Sequence, residues 1–205
     1  MRIFVDFDGT LVDAKMRMFL LFKELVKESA LNFDEYWNIK RRGVSHQSLL
    51  SNLYNYSLEE ISRFQIIWHE QIESPRLLIE DKLFSNSVFF LQEWFNKAEL
   101  VLITARQSPN ALFKQLNDFD IFHFFNSILV TEGRVKKNDL ISLNYSVNEL
   151  EDFMIGDTGA DVECAKLLRL RSVAVLSGFF DRPTLEKYKP DFIINDIGDF
   201  NKLMN

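Results

Sequence analysis

The chain is short of the residues that staple or interrupt small proteins. Its single cysteine, Cys164, can build neither an internal disulfide nor a cysteine zinc site, and it reads as a small buried residue. The three histidines, His46, His69 and His123, lie far apart and form no sequence cluster. With seven glycines and four prolines among 205 residues, the sequence shows no repeat, low-complexity tract or flexible linker. No apolar run approaches the ~18 residues of a membrane span. The first residues lack the basic start, extended apolar region and small-residue cleavage site of a secretory signal, so a cytoplasmic protein is expected. An excess of positive charge is also missing. A formal net charge of −6 argues against a nucleic-acid or anionic-membrane surface and leaves small-molecule chemistry as the expectation.

What is present is enough apolar content, 47% of residues, to bury a sizeable core. Short runs rich in β-branched and aromatic residues recur at Ile3 to Val5, Leu100 to Ile103, Ile128 to Val130, Phe153 to Ile155, Val173 to Leu176 and Phe192 to Ile194. Such runs predict buried parallel strands. Between them, Phe89 to Lys97, Asn110 to Asn117, Asp139 to Leu143 and Ala160 to Leu170 carry helical spacing, and this alternation predicts a layered α/β domain. From about Ala14 to Ile79 the alternation stops. Helical patterns at Met16 to Glu28, Phe33 to Arg41, His46 to Leu53 and Leu58 to Ile72 predict an all-helical insertion after the first strand. The expected layout is a core of residues 1–13 and 80–205 and a helical cap of residues 14–79. The aromatics of the cap can serve as core or as a subunit surface, so a monomer or homodimer is expected.

Three of the predicted strands end in residues suited to phosphate chemistry. Val5 leads into Asp6-Phe7-Asp8-Gly9-Thr10, Ile103 into Thr104, and Ile155 into Gly156-Asp157. Ligands of open parallel sheets bind at the carboxyl ends of the strands, so these residues can share one site if their strands are neighbours.

Asp6-Phe7-Asp8-Gly9-Thr10-Leu11, Leu102-Ile103-Thr104-Ala105-Arg106, a lysine in Arg134-Val135-Lys136-Lys137 and Gly156-Asp157-Thr158-Gly159-Ala160-Asp161 together resemble the four ordered motifs of the haloacid dehalogenase-like hydrolases. The resemblance spans nearly the whole chain and implies a Rossmann-like parallel sheet flanked by helices, with a helical cap between the first and second motifs. It implies that Asp6 is the nucleophile that forms an aspartyl-phosphate and that Asp8 is the general acid and then the base. Thr104 would bind a phosphoryl oxygen, with Ala105 and Arg106 beside it. Gly9 would let the backbone turn beside the ligand, and Thr10 would hold Asp8 in place. Lys136 is taken as the third-motif lysine over Lys137, because Asn138 resembles a helix N-cap and the family's lysine precedes that cap by two residues. Mg²⁺ would be bound by Asp6, the backbone carbonyl of Asp8, Asp157 and Asp161. Asp161 also suits the first turn of a helix as a dipole-complementing acid. The cap loop around Arg42 and His46 would reach toward the leaving group, in a stretch, Gly43 to Leu49, that looks like the corresponding loop of the β-phosphoglucomutases.

The resemblance therefore implies a Mg²⁺-dependent phosphatase, of the phosphoglycolate-phosphatase-like type, acting on a small phosphorylated metabolite. Asp8 separates it from the halide-releasing members, whose leaving group needs no proton. The alternatives are a phosphomutase of the β-phosphoglucomutase type, in which a sugar hydroxyl intercepts the aspartyl-phosphate, and a non-catalytic regulatory protein on the same fold.

Overall fold

A computed structural model describes residues 1–148 and 151–204. The chain opens with β1 (Arg2–Val5) and the two-residue β2 (Val12–Asp13), then runs through five helices: α1 (Lys15–Leu25), α2 (Phe33–Lys40), α3 (His46–Tyr54), α4 (Leu58–Gln71) and α5 (Pro75–Leu78). It returns through β3 (Lys82–Leu83) and α6 (Ser85–Trp94) to β4 (Glu99–Thr104), α7 (Pro109–Asp118), β5 (Ser127–Val130) and α8 (Lys137–Asn144). Strands β6 (Phe153–Gly156), β7 (Arg171–Val175) and β8 (Phe192–Ile194) follow, separated by α9 (Gly159–Leu167) and α10 (Arg182–Glu186). Six strands form one parallel sheet in the order β5-β4-β1-β6-β7-β8. The chain leaves β1 for β4 on one side and later for β6 on the other. This reversal makes the β1 end a topological switch point, where the loops on either side part and leave a crevice.

The apolar runs are buried on both faces because each strand alternates its side chains between two cores. Ile3, Val5, Leu100, Leu102, Phe153, Ile155, Val173 and Val175 enter one cluster, closed by Phe90, Trp94 and Phe200. Phe4, Val101, Ile103 and Met154 enter the other, with Ile141, Cys164 and Ala165. A large apolar side chain buried to this degree contributes about 1.5–3 kcal/mol, so the two clusters stabilise the sheet from both faces. All six strands lie where the sequence predicts them. The pair β2–β3 is antiparallel and only two residues long on each side, too short for a pattern to reveal.

Helices α1 to α4 lie between the two strands of that pair and gather their own core from Phe22, Tyr36, Trp37, Leu49, Leu50, Ile61 and Phe64. Their boundaries are set by local chemistry. Asn32 with Glu35, and Ser57 with Glu60, form reciprocal capping boxes at the starts of α2 and α4. Ser45 accepts from the Ser48 N–H at the start of α3, and Asn55 ends that helix in the left-handed region at φ 56°. The cap rests on the sheet layer rather than hanging from it: Trp37 stacks on Phe179 with centroids 5.4 Å apart, and the Asp181 N–H donates to the Arg41 carbonyl. Among the described residues, no helix is long and apolar enough to cross a membrane.

His46 sits inside the cap, with its Nε2 2.8 Å from the Tyr36 hydroxyl and its ring against Phe64 and Trp68. Burial, with a smaller contribution from Lys40, holds its pKa well below the ordinary 6.5. A depressed folded-state pKa means that the unfolded chain binds the proton first, so stability is complete above pH 6.5 and falls as the pH drops below it. Urea unfolding at pH 7.5 and 5.5 should show the wild type losing roughly 1 kcal/mol more than His46→Gln over that interval; equal losses would remove His46 as the source.

Candidate active site

The switch point places the motif residues together. Asp6 follows β1 and its N–H donates to the Ile155 carbonyl of β6, so the ends of β1 and β6 are locked side by side. Thr104 ends β4 on the other flank, and Asp157 follows β6. The carboxylates of Asp6, Asp157 and Asp161, all buried, converge so that one oxygen from each lies within 4.8 Å of the others. Lys137 at the start of α8 places its ammonium 2.6 Å from Asp6 Oδ1 and 2.6 Å from Asp161 Oδ1.

Each carboxylate is positioned by a different device. Asp157 is packed against backbone: a Cβ on Gly9 or on Gly178 would fall 2.2 Å from its Oδ2. Its Oδ2 accepts from the Phe179 N–H at 2.7 Å. Asp161 closes the first turn of α9, accepting from the N–H and hydroxyl of Thr158. It therefore serves the helix start and faces the carboxylate cluster at the same time. Burial and the adjoining carboxylates push both Asp6 and Asp157 upward, against the pull of Lys137. One lysine among three buried carboxylates leaves an excess of negative charge. An all-oxygen donor set of this kind suits a hard divalent cation such as Mg²⁺.

A second ionic group adjoins the first. Asp8 accepts from Arg17 Nη2 of α1 at 2.7 Å and from Arg106 Nη2 at 2.7 Å, with Arg106 Nε on its other oxygen. Burial alone would raise this carboxyl, but Arg106 and Arg17 override it and hold its pKa at about 2. Behind the arginines lies Asp81, buried in the segment leading to β3. Its Oδ2 is 3.1 Å from Arg106 Nη2 and accepts from Gln115 Nε2 at 2.9 Å, while its Oδ1 lies 3.2 Å from Arg17 Nε. Cap, sheet and returning segment thus meet in one network of two arginines and two aspartates.

These groups line a cavity of about 350 Å³ between cap and sheet, walled by Asp6, Asp8, Thr104, Ala105, Arg106, Lys137 and, from the cap, Arg17, Met18, Trp68 and Ile72. Four sequence expectations are corrected here. Lys137, not Lys136, enters the cavity: α8 begins at Lys137, ahead of Asn138, so Lys136 is the cap residue and is exposed. Thr10 places its hydroxyl 3.4 Å from Asp157 Oδ1 rather than on Asp8, which the arginines hold. Arg42 is exposed at the turn after α2, because that turn runs toward Phe180 and Thr184, against which Gly43 packs. His46 belongs to the cap interior and faces a separate cavity with Ser45, Gln47 and His69. Gly9 lies beneath Asp157, and Arg106 donates to Asp8, Asp81 and Gln115.

Comparison with known proteins agrees with this architecture. A family model described as haloacid dehalogenase-like hydrolase matches residues 3–175, and the chain belongs to that family. No curated protein matches. Among solved structures, a haloacid dehalogenase-like family hydrolase from Streptococcus pneumoniae superposes with a TM-score of 0.81 at 24% identity, covering 100% of this chain and 98% of the other. A predicted phosphatase from Clostridium acetobutylicum gives 0.75 at 22% identity, with 99% and 97% covered. A predicted phosphoglycolate phosphatase from Haemophilus somnus gives 0.73 at 17%, with 100% and 97% covered. At these identities the likeness is one of fold.

Arg17, Asp81 and Gln115 escape the sequence reading. Arg17 does carry a signal, since it stands four residues before Leu21 on the buried side of α1, where an unpaired charge is costly. Asp81, inside Glu80-Asp81-Lys82, looks like part of a solvated charge run. Removing one member of a buried ion network leaves the others uncompensated. Asp81→Leu is expected to lower the unfolding free energy by about 3 kcal/mol or more in denaturant titrations. Glu59→Ala, which breaks only the exposed pair with Arg63, should cost less than about 0.5 kcal/mol. Similar losses in the two variants would deny the network its structural weight.

Proposed function

We propose that this protein is a Mg²⁺-dependent phosphomonoester phosphatase that works through an aspartyl-phosphate on Asp6, with residues 1–13 and 80–205 forming the catalytic core and residues 14–79 the cap. The observation that carries this reading is the convergence of Asp6, Asp157, Asp161 and Lys137 beneath a cap-walled cavity, with Asp8 and Thr104 at its edge.

The chemistry follows from the positions. Lys137 fixes Asp6 Oδ1, which leaves the other carboxylate oxygen to attack phosphorus in line. The new bond joins that oxygen to phosphorus as the ester bond breaks, and the departing oxygen takes a proton from Asp8. Water then attacks phosphorus and gives a proton back to Asp8, the Asp6–phosphorus bond breaks, and phosphate leaves. Thr104, its backbone neighbours and Lys137 offer donors to the phosphoryl oxygens. As held by Arg17 and Arg106, Asp8 is a carboxylate and suits the water-activating step. Its proton-donating step requires that this grip loosen, and Arg17 can supply such a change because it belongs to the cap. Asp6, Asp157, Asp161 and the Asp8 carbonyl would hold the cation. When bound, it would offset the excess carboxylate charge and attract the phosphoryl group.

Asp6→Asn should abolish hydrolysis of a generic aryl phosphate while leaving the melting temperature near that of the wild type. Retained turnover would remove Asp6 as the nucleophile. Lys137→Ala should lower kcat by at least about a hundredfold and Lys136→Ala by less than about threefold; the reverse ranking would return the role to Lys136. Millimolar Mg²⁺ should raise the melting temperature of the wild type but not of Asp157→Ala. A shift persisting in the variant would place the ion elsewhere.

A further inference from the structure

The two halves of the cavity differ in chemistry. On the strand-end side, Lys137 is committed to Asp6 and Asp161. On the cap side, the cations are Arg17 and Arg106, and both are matched by the carboxylates of Asp8 and Asp81. Glu73 adds a further negative charge to this wall, its carboxylate accepting the N–H groups of Gln107 and Ser108. The remaining cap-side surface is apolar: Met18, Trp68 and Ile72 from the cap, and Phe179 from the loop that holds Asp157. No cation lining the cavity is left uncommitted among the described residues.

From this arrangement we infer that the leaving group is an uncharged alcohol with an apolar or ring face, and not one that bears a carboxylate or a second phosphate. The inference rests on the phosphatase reading above and specifies its substrate class. With Arg17 and Arg106 paired to Asp8 and Asp81 as the structure shows them, a leaving-group anion entering this cavity would lose its water and meet a wall that is neutral to negative. An uncharged group would lose little on entry and would cover Trp68, Phe179, Met18 and Ile72.

Two matched pairs of substrates test the inference with Mg²⁺ present: phenyl phosphate against 4-carboxyphenyl phosphate, and 2-hydroxyethyl phosphate against 2-phosphoglycolate. In each pair the uncharged leaving group should have the higher kcat/KM by about tenfold or more. Ile72→Arg, which places an unmatched cation on the same wall, should bring both ratios back toward parity. Equal or preferred turnover of the carboxylated partners by the wild type would overturn the inference while leaving the phosphatase reading intact. So would ratios that stay unchanged in a folded Ile72→Arg protein. If none of the four esters is hydrolysed and beryllium fluoride with Mg²⁺ leaves the melting temperature unmoved, the phosphatase reading fails and this inference falls with it.

Discussion

Three converging buried carboxylates, two of them paired with the same lysine, form the constraint on which the rest of the structure depends. Burial removes the water that would screen these carboxylates, so negative charge on Asp6 and Asp157 is costly. They stay together because rigid elements hold them: the paired ends of β1 and β6, the glycines beneath Asp157, and the first turn of α9. The sheet core is therefore more than a source of stability. Its two-sided packing fixes the strand ends firmly enough for the repulsion to persist, and the stored repulsion is what would make the site bind a divalent cation or a phosphoryl group.

The neighbouring arginine–aspartate network solves a different problem, that of joining a helical cap to the sheet through two short crossings. β2 and β3 pair over only two residues each, a connection too small to fix the cap's position alone. Arg17 of α1 reaches Asp8 beside β1, and Asp81 on the returning segment reaches both Arg17 and Arg106. Glu73 adds another tie through the N–H groups of Gln107 and Ser108 ahead of α7. Each tie ends within a few residues of a strand end, so movement of the cap changes the surroundings of Asp8 before it changes those of Asp6.

Most of the sheet was legible in the sequence, because a strand buried on both faces leaves an unbroken apolar run, as in Leu100 to Ile103 and Val173 to Leu176. The motif acids were legible because they follow those runs directly. What escaped was decided by contacts between distant segments. Lys136 is the N-cap of α8 and Lys137 its first residue, so the lysine in the site follows the cap by one residue instead of preceding it by two, and no spacing from Asn138 could reveal it. His46 and Arg42 stand in a polar, glycine-containing stretch that suggests a substrate loop, yet the packing of Tyr36, Phe64 and Trp68 draws His46 inward. Asp81 has no local signal at all, since its burial depends on arginines 64 residues before it and 25 after it in sequence.

The division of labour between the two layers follows from where charge is left over. On the sheet side the carboxylates outnumber the lysine, and the imbalance favours a cation and, with it, a phosphate that every substrate of this reading would share. On the cap side the arginines are matched by aspartates, so under the same reading shape and apolarity rather than charge would decide what enters. Trp68 belongs to both the wall of the cavity beside Asp6 and the packing around His46. The surface that would contact the leaving group is thus built from the same side chains that hold the cap together. Changes in cap packing would then alter substrate choice without disturbing Asp6, which separates the evolution of specificity from that of chemistry.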